Sequence, residues 1–334
     1  MSVSAPSSDL PGAEEFLRHG GRLAAARAAF PEAPAPWLDL STGINPRPWK
    51  GARASLTSLA RLPDPEETAA LEAAAARAFG VDPDRVAAIP GAEAGLRVLP
   101  RVTGARSVAI VSPTYGGHAE AWRLAGAKVE TIGHDALAST AAEAAVVVNP
   151  NNPDGARLTD LDPGDRWLIV DESFVETDPE LSIAHRAHGR TIVLRSFGKF
   201  YGLPGLRLGF VIADPGLAAR VAAQFGDWPV SAEAIAMGTP AYADQDWRER
   251  TALRLAKDAA RLDEMLVAAG FEIVGGTSLF RLAAAPDASR RFIGLARRGV
   301  LTRPFPDQPT WLRFGLPKPK DWPRLKAALE GSRR

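Results

Sequence analysis

Seven short apolar runs, each closed by a polar or glycine-rich turn, constrain the fold of this chain more than any other feature. Residues 86–89, 107–111, 128–132, 145–148, 167–170, 191–194 and 209–212 read as buried strands. Between several of them lie helical stretches: 66–79 is alanine-rich and stops at Gly80, and 92–99 and 117–125 have helical composition and plausible ends. This alternation predicts an α/β fold whose mostly parallel central sheet is covered by helices on both faces.

At 334 residues the chain exceeds what one hydrophobic core serves, so a large domain with a smaller companion is expected. The texture changes after about Asp214. A long helical region over 232–270 leads to strands at 271–274 and 278–282, a helix over 289–298, strands at 300–303 and 311–314, and a terminal helix from Trp322. We therefore expect a large domain over 51–230, and an interdomain helix with a small α+β domain over 231–334. The 40 basic and 39 acidic residues leave a net charge of +1, so no global field recruits nucleic acid or an anionic membrane. The absence of cysteine excludes disulfides, thiolate nucleophiles and cysteine zinc sites. His118, His134, His185 and His188 lack a zinc-ligand arrangement, so no metal is expected. Residues 1–16 do not read as a signal peptide, and no apolar run approaches the roughly 20 residues of a membrane helix, so a soluble, cytoplasmic protein is expected.

In sheets of this kind ligands collect beyond the carboxyl ends of the strands. Five polar motifs fall there: Gly91-Ala92-Glu93-Ala94-Gly95, Ser112-Pro113-Thr114-Tyr115, Asn149-Pro150-Asn151-Asn152-Pro153, Asp171-Glu172 and Ser196-Phe197-Gly198-Lys199. Lys199, with Ser196 three before it and Arg207 eight after, suits a Schiff base beside a phosphate, which points to pyridoxal phosphate. Asp171, leaving a buried strand, would keep the pyridinium nitrogen protonated. Ser196, Arg207 and the amides of Ala92 and Glu93 would bind the phosphate, with Tyr115 stacked on the ring and Asn152 donating to its phenolic oxygen. Each motif has a plainer reading alone. Lys199 and Arg207 suit surface or ion-pair positions, Asp171-Glu172 a helix cap, 151–155 an ordinary turn, and Tyr115 a core aromatic. A serine acyl-transferring hydrolase is a further reading of Ser196-x-x-Lys199, but Ser-Asp-Asn and Lys-Thr-Gly do not accompany it. The order of phosphate loop, stacking ring, amide, acid, lysine and arginine along alternating strands favours the pyridoxal phosphate reading.

With His19-Gly20-Gly21, Asp39-Leu40-Ser41-Thr42-Gly43-Ile44-Asn45-Pro46 and the run from Arg195 to Gly209, the chain resembles fold-type I pyridoxal phosphate enzymes over nearly its whole length. Within them it resembles the branch of histidinol-phosphate aminotransferases and threonine-phosphate decarboxylases, the decarboxylases of cobalamin synthesis being the closer match. The resemblance implies a homodimer, and an N-terminal segment over 1–50 that packs with the small domain. It implies decarboxylation of L-threonine O-3-phosphate to (R)-1-amino-2-propanol O-2-phosphate, with Lys199 and Asp171 catalytic. His19, Gly20, Asn45, Asn152, Arg303 and Arg313 would grip the substrate's two anionic groups. The alternatives are an aminotransferase acting on a substrate such as histidinol phosphate, and a non-catalytic binding module of the same fold. Two departures matter. Where the aminotransferases carry Asp-Glu-Ala-Tyr this chain has Asp171-Glu172-Ser173-Phe174, losing a hydroxyl donor to the cofactor's phenolic oxygen. Their Tyr-Pro-Asp-Pro stands here as Leu62-Pro63-Asp64-Pro65, removing a tyrosine that in relatives reaches the partner's cofactor phosphate.

Overall fold

The computed structural model describes residues 20–332. Its contacts divide the chain into two compact units: a larger one of residues 48–152 and 156–252, and a smaller one of the described residues up to Arg47, Pro153–Gly155, and the chain from Leu253 on. Helix α1 (Leu23–Ala29) and strand β1 (Leu38–Asp39) belong to the smaller unit.

The larger unit opens with α2 (Leu56–Leu59) and α3 (Pro65–Phe79). Helix α3 has a strong local signal at both ends: an Asp64/Glu67 capping box with Pro65 in the first turn, and Gly80 in the left-handed conformation as stop. The sheet and its helices then alternate: β2 (Val86–Ile89), α4 (Ala92–Thr103), β3 (Ser107–Val111), α5 (Gly116–Leu124), β4 (Lys128–Ile132), β5 (Ala144–Val148), β6 (Trp167–Asp171), β7 (Thr191–Ser196), α6 (Phe197–Phe200), β8 (Gly209–Ile212) and α7 (Pro215–Ala222). The strand order is β2-β8-β7-β6-β5-β3-β4. Every pair is parallel except those of β8, which runs antiparallel to both β2 and β7. One edge of the sheet therefore collects the carboxyl ends of β2, β3, β5, β6 and β7 together with the start of β8. Beneath it Ile89, Ile110, Val146, Ile169, Leu194 and Val211 pack with Leu96, Leu99 and Trp122 of the covering helices.

Strand β4 departs from expectation. It pairs only with β3 at the sheet's edge, and its polar residues Lys128, Glu130 and Thr131 are exposed, unlike the all-apolar strand β2 at the opposite edge, which is buried.

The long helical region is two helices, α8 (Ala232–Ala243) and α9 (Gln245–Ala268), broken at Asp244. Helix α8 buries Ala234, Ile235, Met237, Ala241 and Tyr242 within the larger unit, so the division falls after Ala252, inside α9, rather than at 230.

The smaller unit adds β9 (Glu272–Thr277), β10 (Phe280–Ala284), α10 (Ala288–Ala296), β11 (Val300–Leu301), β12 (Arg303–Phe305), β13 (Gln308–Gly315) and α11 (Trp322–Gly331). Its antiparallel sheet has the order β12-β13-β10-β9. The single strand expected over 300–303 is split, because Val300 and Leu301 pair in parallel with Leu38 and Asp39 of β1 while Arg303 turns to pair with β13.

Candidate active site

In the larger unit the five polar motifs lie along one edge of the sheet. At the end of β2, Gly91 has φ of 93°, a conformation that favours glycine, and opens α4 without a side-chain cap. The first amides of α4, those of Ala92 and Glu93, thus face outward at the positive end of the helix. Arg207 is itself left-handed, with φ of 54°, and its guanidinium lies across Gly91: a Cβ added there would stand 2.8 Å from Nη2. Gly209 gives similar clearance, since a Cβ there would come within 2.6 Å of the Ala92 nitrogen. Ser196 closes β7, and one helical turn later Lys199 lies on the short α6.

Asp171 ends β6 and is buried. Its Oδ1 accepts the backbone N–H of Ser173 at 2.9 Å and the Ser173 hydroxyl at 2.5 Å, and its Oδ2 lies 3.0 Å from Nε2 of the buried His118. Burial alone would raise the carboxyl's pKa, but the hydrogen bond and charge of His118 and the two Ser173 donors outweigh it and hold Asp171 below the ordinary carboxylate range. Asp171 is therefore no helix cap. Its neighbour Glu172 is equally buried but has a structural role. It pairs with Arg195 at 2.9 Å, and Arg195 also reaches Glu176 at 3.1 Å and covers the Phe79 ring.

Phe174, in place of the aminotransferase tyrosine, is buried with its ring centroid 5.7 Å from Lys199 Nζ. Tyr115 packs against the sheet core and donates its hydroxyl to Glu93 Oε2 at 3.0 Å. Burial, then the Glu93 charge, raises its pKa, so the phenol stays neutral. Asn152 stands in the loop after β5, which Asn149 and Asn151 brace through bonds to Leu158 and to Thr114 and Pro113.

Of the residues expected to grip substrate, Asn152 is in the larger unit, and Gly20, Asn45, Arg303 and Arg313 are in the smaller one. Arg303 and Arg313 are paired across β12 and β13. Arg313 is buried, donates to the Ser41 carbonyl at 2.9 Å, and has its pKa pushed down to about 9 by burial and by the charge of Arg303. Two cations opposed on neighbouring strands repel, so the arrangement favours an anion. Gly20 packs so closely on Ser41 that a Cβ would stand 2.3 Å from its carbonyl oxygen, while Gly21 donates to the Ser41 hydroxyl at 2.8 Å. Asn45 is buried at the other end of the same loop. His19 lies outside the described residues.

Two residues with a part in this architecture escaped sequence reasoning. His118, on α5, lies 53 positions from Asp171 at the end of β6, and no spacing rule links them. Arg254, which donates to Asn45, lies 209 positions from it.

The profile of the family described as aminotransferase class I and II matches residues 35–328. The chain belongs to that family. Among class I and II aminotransferases and their relatives, it is 38% identical to a threonine-phosphate decarboxylase from Pseudomonas aeruginosa, covering 95% of this chain and 98% of that one. It is 39% identical to a threonine-phosphate decarboxylase from a Sinorhizobium species, covering 89% and 92%. Among solved structures of this aminotransferase fold, histidinol-phosphate aminotransferase from Sinorhizobium meliloti in complex with pyridoxal 5'-phosphate aligns with a TM-score of 0.73 at 21% identity, covering 83% of this chain and 84% of that one.

Proposed function

We propose that this chain is a pyridoxal phosphate-dependent decarboxylase converting L-threonine O-3-phosphate to (R)-1-amino-2-propanol O-2-phosphate and carbon dioxide in cobalamin synthesis. One observation carries the reading: a buried, ionised Asp171 shares a sheet edge with Lys199 and Arg207, in a chain that matches threonine-phosphate decarboxylases nearly end to end.

The residues fit the cofactor. The clearance at Gly91 and Gly209, the outward amides of α4 and the guanidinium of Arg207 suit a phosphate, and Asp171 suits a protonated ring nitrogen. When bound, pyridoxal phosphate supplies an electron-withdrawing ring that accepts the electron pair of the bond broken at the substrate's α carbon. Ser196, Arg207, Ala92 and Glu93 hold the phosphate. Tyr115, its hydroxyl fixed by Glu93, stacks on the ring, and Asn152 donates to the phenolic oxygen. Lys199 Nζ would hold the cofactor through its aldehyde and would be the group that carries a proton to the substrate's α carbon. Arg303 and Arg313 take the substrate's carboxylate and phosphate, with His19, Gly20 and Asn45 completing the grip. This anchoring would favour loss of the carboxylate over loss of the α hydrogen. Phe174 brings no hydroxyl to Lys199, which weighs against aminotransferase chemistry. The enzyme works as a cytoplasmic homodimer on a phosphorylated amino acid. Among the described residues no helix is long and apolar enough to cross a membrane.

The test is to assay the purified holoenzyme with phosphothreonine for carbon dioxide and aminopropanol phosphate, beside histidinol phosphate plus 2-oxoglutarate. Stoichiometric release of carbon dioxide from phosphothreonine is expected; amino transfer alone would overturn the reading.

A further inference from the structure

Asn45 carries an amide whose two ends have opposite hydrogen-bonding character, and the structure fixes which end is which. Its Oδ1 accepts the backbone N–H of Arg47 at 3.0 Å and Nη2 of Arg254 at 3.2 Å. An amide oxygen offers two lone pairs, and these two donors use both. Turning the amide over would set its NH2 against two N–H groups, so Nδ2 must point away from them. Arg47 alone, through a local turn, fills only one lone pair. The second comes from Arg254, half-buried on α9.

The fold keeps that arginine where a cation is disfavoured. Its pKa is lowered by burial and then by the charge of Arg47, and its Nε is buried without a hydrogen-bond partner among the described residues. Asp258, four positions on along α9, lies 3.7 Å from the Arg47 guanidinium. Arg313 holds the loop at its other end, through the Ser41 carbonyl.

We propose that Arg254 is a positioning residue that fixes the orientation of the Asn45 amide in its loop through the bond to Oδ1. The proposal rests on reading Asn45 as a substrate-binding residue.

A double-mutant cycle tests it. Arg254→Gln, Asn45→Ala and the double variant are compared using whichever of phosphothreonine and histidinol phosphate the wild type turns over. An error in the assigned reaction then shows in the wild type and an error about Arg254 shows in the cycle. Arg254→Gln is expected to raise KM about tenfold with kcat within about twofold, and to add less than about twofold in the Asn45→Ala background. Arg254→Lys, whose longer side chain carries a charged donor nearer to Asn45 than glutamine's amide can reach, should give an intermediate KM; it replaces the glutamine variant in the cycle should that one fail to fold. An unchanged KM, or effects that multiply in full in the double variant, would overturn the proposal.

Discussion

Three donors close around the two oxygens of Asp171, and one of them, His118, comes from a helix that gave no signal of its part. His118→Ala leaves Oδ2 without its donor inside the core, at a cost of about 2–4 kcal/mol from the lost bond and the space left behind. Urea unfolding should show this loss, together with weaker retention of pyridoxal phosphate by absorbance. Asp171→Asn removes the charge, and kcat/KM should fall by about 100-fold or more. Arg313 gives a pH prediction. Its folded pKa of about 9 lies below the ordinary value, so it is charged at neutral pH and loses its charge near the top of the accessible range. The KM for a phosphorylated substrate should therefore hold steady up to about pH 8 and climb above about pH 9. Because the folded pKa is depressed, the charged form costs stability below about pH 9. An anion bound beside it should offset that cost, so inorganic phosphate should raise the melting temperature more in wild type than in Arg313→Gln.

Local patterns revealed most of the elements. The strands Val86–Ile89, Ser107–Val111, Lys128–Ile132 and Gly209–Ile212 match their apolar runs, and helix α3 matches its caps, since those signals are written in adjacent residues. Partners are a different matter. The run over 128–132 mixes polar and apolar residues, and its place at the sheet edge follows from pairing with β3 alone. The division at Thr302 is likewise set by pairing with β1 and β13, far away in sequence. The gathering of the five polar motifs along one sheet edge could be anticipated because strand ends are local. The His118–Asp171 and Arg254–Asn45 contacts could not, because they exist only once distant elements have packed. Helix α4 provides an element-scale test at Gly95, where a Cβ would stand 2.5 Å from Ile89 Cδ1 and 2.9 Å from Leu194 Cδ2. Gly95→Ala gains about 1 kcal/mol of helix propensity, but overcrowding costs about 1–3 kcal/mol. A net fall in melting temperature is expected, and a rise would mean that the helix can shift off the sheet at little cost.

At the scale of the whole molecule, three exposed leucines stand on one short stretch: Leu56, Leu59 and Leu62 are 84%, 55% and 59% exposed. In the proposed homodimer this stretch is the apolar surface to cover. Light scattering should give twice the 35.5 kDa chain mass, and replacing all three leucines with glutamine should shift the population toward monomer. The buried group of Glu172, Arg195 and Glu176 has a different consequence. Burial raises the pKa of Glu176, so the proton it takes up contributes stability that is fully present below the unfolded value and lost as pH rises through the folded one. Asp171 acts in the opposite sense: its contribution is present above the unfolded value and fades only as pH drops through a depressed folded value. Going down from neutrality, the glutamate strengthens the larger unit before the aspartate begins to weaken it. Mild acidification should thus toughen this protein, and Glu176→Gln should abolish the gain while leaving the collapse at lower pH in place.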